Sequence, residues 1–164
     1  MLTEKYIDTG IFDNKYTLKY NLTKVAIPHS ITRIRDKAFC ECLYLKQIKI
    51  PSSVTSIGHS SFIGCESLTE ITIPSSVIEI GNYAFTRCSS LKQITFEIPS
   101  SLTSIGNCAF SGCSSLKQMI IPYSVTSIED AAFFDCFSLE QIVIPSFANP
   151  EHLLLPRKIK VIKF

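Results

Sequence analysis

Apolar positions return along this chain in one fixed order. Leu68, Ile71 and Ile73 are followed by Pro74, then Val77 and Ile80, then Ala84 and Phe85, then Cys88, before Leu91 opens the next round. The prolines Pro28, Pro51, Pro74, Pro99, Pro122 and Pro145 mark one point of each round, with steps of 23, 23, 25, 23 and 23. Phe39, Phe62, Phe85, Phe110 and Phe133 keep that step, and so do Cys42, Cys65, Cys88, Cys113 and Cys136. A period of about 20 to 30 residues marks a solenoid, because each unit is too small to bury its own apolar face and must stack on its neighbours. Within a round, Leu68, Ile71 and Ile73 end in the alternation of a half-buried strand. Pro74 cannot donate to a ladder, so the strand stops there. Val77 and Ile80 predict a second, shorter extended segment, closed at a corner by the recurring Gly58, Gly81 and Gly106. Ala84 and Phe85 predict a tight helical or 3-10 turn that fills the interior.

In-register stacking places Leu on Leu, Phe on Phe and Cys on Cys, and makes a parallel sheet on one face. Seven strands are expected, opening near Leu22, Leu45, Leu68, Leu91, Leu116, Leu139 and Ile159, with Ile159, Ile162 and Phe164 inward in the last. The two extra residues between Pro74 and Pro99, around Phe96 and Glu97, are expected to bulge at the end of the fourth strand without breaking the stack. Ile11 and Tyr16 stand one period before Ile34 and Phe39. Residues 1–164 therefore read as a single domain: a decayed first repeat over 1–27, five regular repeats over 28–145 and a shortened terminal repeat over 146–164.

The unit running from Ile73-Pro74-Ser75-Ser76-Val77 through Ala84-Phe85 to Cys88-Ser89-Ser90-Leu91-Lys92-Gln93-Ile94 resembles the BspA-type (Treponema pallidum type) leucine-rich repeat, over roughly residues 22–145. The resemblance implies a leucine-rich-repeat solenoid, α/β in class and mostly β, with about seven turns and no distinct polar caps. It also implies binding of other macromolecules, most often as a surface adhesin of bacteria or protist parasites, and no catalysis.

Composition fits a structured binder. Hydrophobic residues make up 46% and charged residues 18% of the chain, which excludes a disordered one. The net charge is only +2 and is spread among the repeats, so no broad footprint for nucleic acid exists. The densest basic run, Arg157, Lys158, Lys160 and Lys163, reads as outward charge guarding an edge strand, with an anionic-partner patch as the alternative. The first residues, Met1 to Asp8, carry charge where a secretory leader needs an apolar run, and no stretch approaches the length of a membrane span. The expected location is cytoplasmic, without membrane insertion. Asn21-Leu22-Thr23 is a glycosylation sequon, but Leu22 opens a strand and no role is read into it.

Seven cysteines raise the question of disulfides or metal. Five face the interior, where a small buried thiol is the ordinary role of cysteine, while Cys40 and Cys108 fall in other columns. Adjacent turns bring column Cα atoms to roughly 5 Å, within bridging range. The odd column and a reducing compartment nevertheless favour seven free thiols. His29, His59 and His152 share no column with the thiols, so no metal site is expected, and no cofactor. Catalysis needs a nucleophile, a base and an orienting group converging in a pocket, which a rod filled with Leu, Ile and Phe does not offer. The Ser-Ser pairs occupy turns. No catalytic residue is expected.

What remains is the open face of the sheet. One outward column is expected to hold Ala26, Lys49, Thr72, Thr95, Ile120, Val143 and Lys163, and a second Lys24, Gln47, Glu70, Gln93, Gln118, Gln141 and Val161. Polarity fades towards the C-terminal half. This face is the candidate protein-binding surface. Tyr123, Phe134 and Phe137, added in the fifth repeat, join Ile159, Val161, Ile162 and Phe164 as a candidate homo-oligomer contact, for a dimer or tetramer. The reading is a non-catalytic protein-interaction scaffold or regulator inside the cell, self-associating, with a signalling enzyme such as a Ser/Thr phosphatase as one class of partner. The alternatives are a surface or secreted adhesin binding host matrix proteins and a purely self-assembling element.

Overall fold

The computed structural model describes residues 22–164. Twelve strands follow in order among them: β1 (Lys24–Ala26), β2 (Arg33–Ile34), β3 (Gln47–Lys49), β4 (Ser56–Ile57), β5 (Glu70–Ile73), β6 (Glu79–Ile80), β7 (Gln93–Phe96), β8 (Ser104–Ile105), β9 (Gln118–Ile120), β10 (Ser127–Ile128), β11 (Gln141–Ile144) and β12 (Lys160–Lys163). Seven of them, β1, β3, β5, β7, β9, β11 and β12, are the strands expected before or within each proline-marked boundary. They bound six turns of a parallel β-solenoid. The five two-residue strands β2, β4, β6, β8 and β10 pair in that order as one continuous parallel sheet on a second side. The decayed first repeat expected over 1–27 lies outside the described residues, apart from its strand β1.

The third side is a run of β-turns, and no helix is assigned among the described residues. Successive amides there alternate between two kinds of partner. Ala84, Thr86 and Cys88 donate back three residues, to Gly81, Tyr83 and Phe85, while Tyr83, Phe85 and Arg87 donate across to Asn107, Ala109 and Ser111 of the next turn. A helix would keep all its bonds within one segment. Here half of them stitch neighbouring repeats together. The geometry places φ near +57° at Tyr83 and +60° at Arg87, each the third residue of its turn, where a type II turn needs a positive value. The same two columns run through Lys37, Ser60, Cys108 and Ala131, and through Glu41, Gly64, Gly112 and Asp135.

The corner glycines answer a different need. A Cβ on Gly58, Gly81 or Gly106 would stand 2.7, 2.9 or 2.6 Å from a backbone atom of the preceding turn. Close approach of two backbones, rather than a positive φ, demands glycine here.

Inside, the columns stack as the sequence orders them. Phe39, Phe62, Phe85, Phe110 and Phe133 form a spine with ring centroids 5.1, 5.1, 5.5 and 5.5 Å apart, all close to parallel. The cysteines run beside it. The thiols of Cys65, Cys88, Cys113 and Cys136 donate to the carbonyls of Phe39, Phe62, Phe85 and Phe110 at 3.1 to 3.3 Å, one turn back. No disulfide joins any of the seven cysteines. Burial pushes the Cys88 thiol up, and burial with the neighbouring Cys136 sulfur pushes Cys113 up further. Cys136 is pushed up to about 12, mainly by burial. Such thiols stay protonated near neutral pH and are poor nucleophiles.

The helical or 3-10 turn expected at Ala84 and Phe85 is thus a pair of β-turns, and two further expectations are corrected. The last strand pairs one residue earlier than the spacing suggests: Val161 lies opposite Ile142, Ile162 opposite Val143 and Lys163 opposite Ile144. A one-residue slip exchanges the two faces of a strand. Lys160 and Ile162, and not Val161 and Lys163, therefore continue the outward columns. The shortened turn explains the change: Leu153, 1% exposed, is held by Phe133 N–H donating to its carbonyl at 3.3 Å, and Leu155, Ile159 and Val161 pack against the core. The second correction concerns the insertion. Phe96 keeps register opposite Ile73, so the two extra residues are Glu97 and Ile98. The stack of turns continues past them, with Thr103 N–H donating to Ile78 at 2.8 Å and Gly106 N–H to Ile80 at 2.9 Å. The long-strand ladder does not. It divides into β1–β3, β5–β7 and β9–β11–β12, with seams between β3 and β5 and between β7 and β9.

Candidate functional site: the long-strand face

The first side of the solenoid presents its polar residues outward because strand side chains alternate while Ile and Leu are drawn into the stack. Lys24, Gln47, Glu70, Gln93 and Gln118 are exposed, with Gln141 half-buried, and they align through the registers Lys24 to Gln47, Glu70 to Gln93 and Gln118 to Gln141. Ala26, Lys49, Thr72, Thr95 and Ile120 form the second exposed column, ending in half-buried Val143. The corrected register closes these columns with Lys160 and Ile162.

Among the described residues, three concave regions stand out on this face. A hollow of about 450 Å³ over the N-terminal half is lined by Lys24, Lys49, Glu70 and Thr72 among others. A second, of about 550 Å³, lies over the starts of the C-terminal strands, among Lys92, Lys117, Glu140 and Lys160. The third, about 500 Å³, opens at the seam between β7 and β9 and is apolar, with Phe96, Ile98, Ile120 and Tyr123 in its walls. Ile98 is 92% exposed and Tyr123 82%.

The candidate oligomer residues do not lie together. Tyr123 follows β9 and its ring meets that of Phe164, 4.1 Å between centroids, beyond the end of the last strand. Phe134 and Phe137 sit on the turn side, before β11, both exposed. The length of a strand separates the two pairs. Among the described residues no group of three or more His, Cys, Asp or Glu side chains is placed to hold a metal ion. No helix among them is long and apolar enough to cross a membrane.

The family model of the BspA type leucine rich repeat region matches six copies, over residues 6–97 and 94–151. The chain belongs to that family. Among solved structures, this BspA-type chain is similar to a leucine-rich repeat protein of T. pallidum, 33% identical over 86% of this chain and 73% of that one, with a TM-score of 0.71. It is also similar to the pneumococcal vaccine antigen PcpA, 30% identical over 73% of this chain and 30% of that one, TM-score 0.67. A leucine-rich repeat protein of Eubacterium ventriosum is 27% identical over 87% of this chain and 41% of its own, TM-score 0.67. No curated protein matches the chain. A BspA-type solenoid of this kind is suited to protein–protein interaction, because stacking its turns presents an extended strand face.

Sequence reasoning placed the two outward columns as far as Gln141 and Val143 but missed the apolar groove. Its signal was present: Ile98 is one of the two residues that break the period, and a side chain outside the repeat has no interior column to enter.

Proposed function

We propose that this chain is a non-catalytic scaffold that binds a protein partner on its long-strand face, working inside the cell. The observation that carries this is the face itself: two aligned exposed columns with concave regions between them. The column cysteines stand one turn apart with no disulfide joining them, as a reducing compartment would leave them. A signalling enzyme such as a Ser/Thr phosphatase is one partner class to examine first. The alternative is a surface or secreted adhesin binding host matrix proteins. Antibody staining of intact against permeabilised cells separates the two.

Binding is tested by affinity capture with the double variant Thr72→Glu/Gln118→Glu, which charges the middle of both halves of the face. Proteins retained by the wild type and by Glu79→Lys on the second sheet, but lost by the double variant, are the expected result. An identical retained set for all three would overturn the assignment of the face.

Self-association is a second reading, carried by the exposed aromatic pair Phe134 and Phe137, 44% and 75% accessible. Light scattering should give a dimer or tetramer that Phe137→Glu reduces. A monomeric wild type at micromolar concentration removes this reading.

A further inference from the structure

The apolar groove and the lysine hollow adjoin, sharing Gln93 and Gln118. Three lysines, Lys92, Lys117 and Lys160, surround the hollow against the single carboxylate of Glu140. None of the three is in an ion pair, the pair among the described residues being His152 with Asp130 at 3.6 Å, elsewhere on the molecule. Exposed, unpaired like charges repel one another, and an anion placed among them relieves that repulsion. Along the strand direction the charge lies at the start of β7 and β9, and the groove of Phe96, Ile98, Ile120 and Tyr123 lies at their ends. From Lys92 to Phe96 the chain advances four residues, roughly 13 Å at strand rise.

We propose that the C-terminal half of this face binds an extended acidic segment of a protein partner. An Asp or Glu of that segment sits among Lys92, Lys117 and Lys160. A large apolar side chain about four residues away enters the groove. The proposal rests on the reading of the strand face as the binding surface and names the chemistry of what binds there. Nucleic acid fits less well, because Glu140 stands inside the basic hollow and the groove next to it is aliphatic as much as aromatic. The N-terminal hollow lacks the apolar partner site, with Thr72, Gln47 and Lys49 in its place.

The test is selection of random ten-residue peptides displayed in a library against the full chain, followed by anisotropy titration of the enriched sequences. The expected consensus holds an acidic residue three to five positions from a Phe, Leu or Ile. Lys92→Glu/Lys117→Glu and, separately, Ile98→Asp should each weaken the best peptide about tenfold or more, since a central apolar anchor or a desolvated charge contact is worth that much. All three positions are exposed, so both variants should melt with the wild type. Glu79→Lys should bind as the wild type does, and poly-uridylate RNA should not displace the peptide. No enrichment, a consensus without acidic residues, unchanged affinity in both variants, or displacement by the RNA would each overturn the proposal. If Thr72→Glu/Gln118→Glu abolishes capture of cellular partners while the lysine and Ile98 variants leave it intact, the strand-face function stands and this inference alone falls.

Discussion

Phe62 and Phe85 lie ring over ring, centroids 5.1 Å apart and planes 2° from parallel, one full turn of the chain between them. That contact is the period of the sequence made physical. Each ring is fully buried, its two faces covered by the rings of the turns above and below.

Truncating one ring should therefore cost both neighbours. Phe85→Ala is expected to destabilise by about 3 to 5 kcal/mol, the range for a large aromatic replaced in a core that relaxes only partly. Chemical denaturation checks it. A midpoint equal to that of the wild type would mean that the Phe column is not inside.

The turn side offers a pair of changes with opposite sign. Arg87 and Gly112 occupy the same column, with φ near +60° and +72°. Arg87→Gly should hold or raise stability, because only glycine adopts that conformation without penalty. Gly112→Ala should cost about 1 kcal/mol, since the new Cβ meets nothing closer than 3.4 Å and the loss is conformational. Thermal melts of the two variants should move apart. If both shift alike, the positive φ is not a property of the column.

Gly106→Ala should cost more than Gly112→Ala, although φ at Gly106 is not positive. Its added Cβ would stand 2.6 Å from the Asn82 nitrogen and 2.8 Å from the Gly81 carbonyl carbon, and backbone cannot move aside as a flexible side chain can. Comparing the two alanine variants by urea unfolding tests whether close stacking outranks turn conformation.

The buried thiols predict a loss of stability in alkali. In the unfolded chain a thiol ionises near 9.0, while folded Cys136 holds its proton to about 12. The native state then binds more protons over that window, so its advantage is complete below pH 9 and declines as pH rises towards 12. Cys88 and Cys113 are raised in the same direction by burial. The denaturation midpoint should fall above pH 9, and fall less steeply in Cys136→Ala. Equal slopes in the two proteins would place that thiol outside the core.

The stack was legible because Phe, Cys, Leu and Pro each keep one position in a strict period, and only a solenoid turns such a period into a core. The turn side was less so. Ala84 and Phe85 resemble a helical step, yet their amides split between their own turn and the next, a distinction that depends on the neighbour's backbone and not on side-chain type. The last strand was misread by one residue. Ile159, Ile162 and Phe164 satisfy the repeat spacing, but the shortened connection lets Leu153 cover Phe133 and sets Val161 opposite Ile142. Of the binding face, the columns from Lys49 to Val143 followed from alternation alone. The groove beside Ile98 needed the geometry, because an insertion shows where a period breaks and not what opens there.

The most direct test of a protein-binding strand face is a photo-crosslinking amino acid placed singly at Thr95 on β7 and at Glu79 on the opposite short-strand sheet, with irradiation in the cells that make the protein. Crosslinked bands containing a second protein are predicted for position 95 and absent for position 79. Crosslinks from 79 with none from 95 would contradict the account.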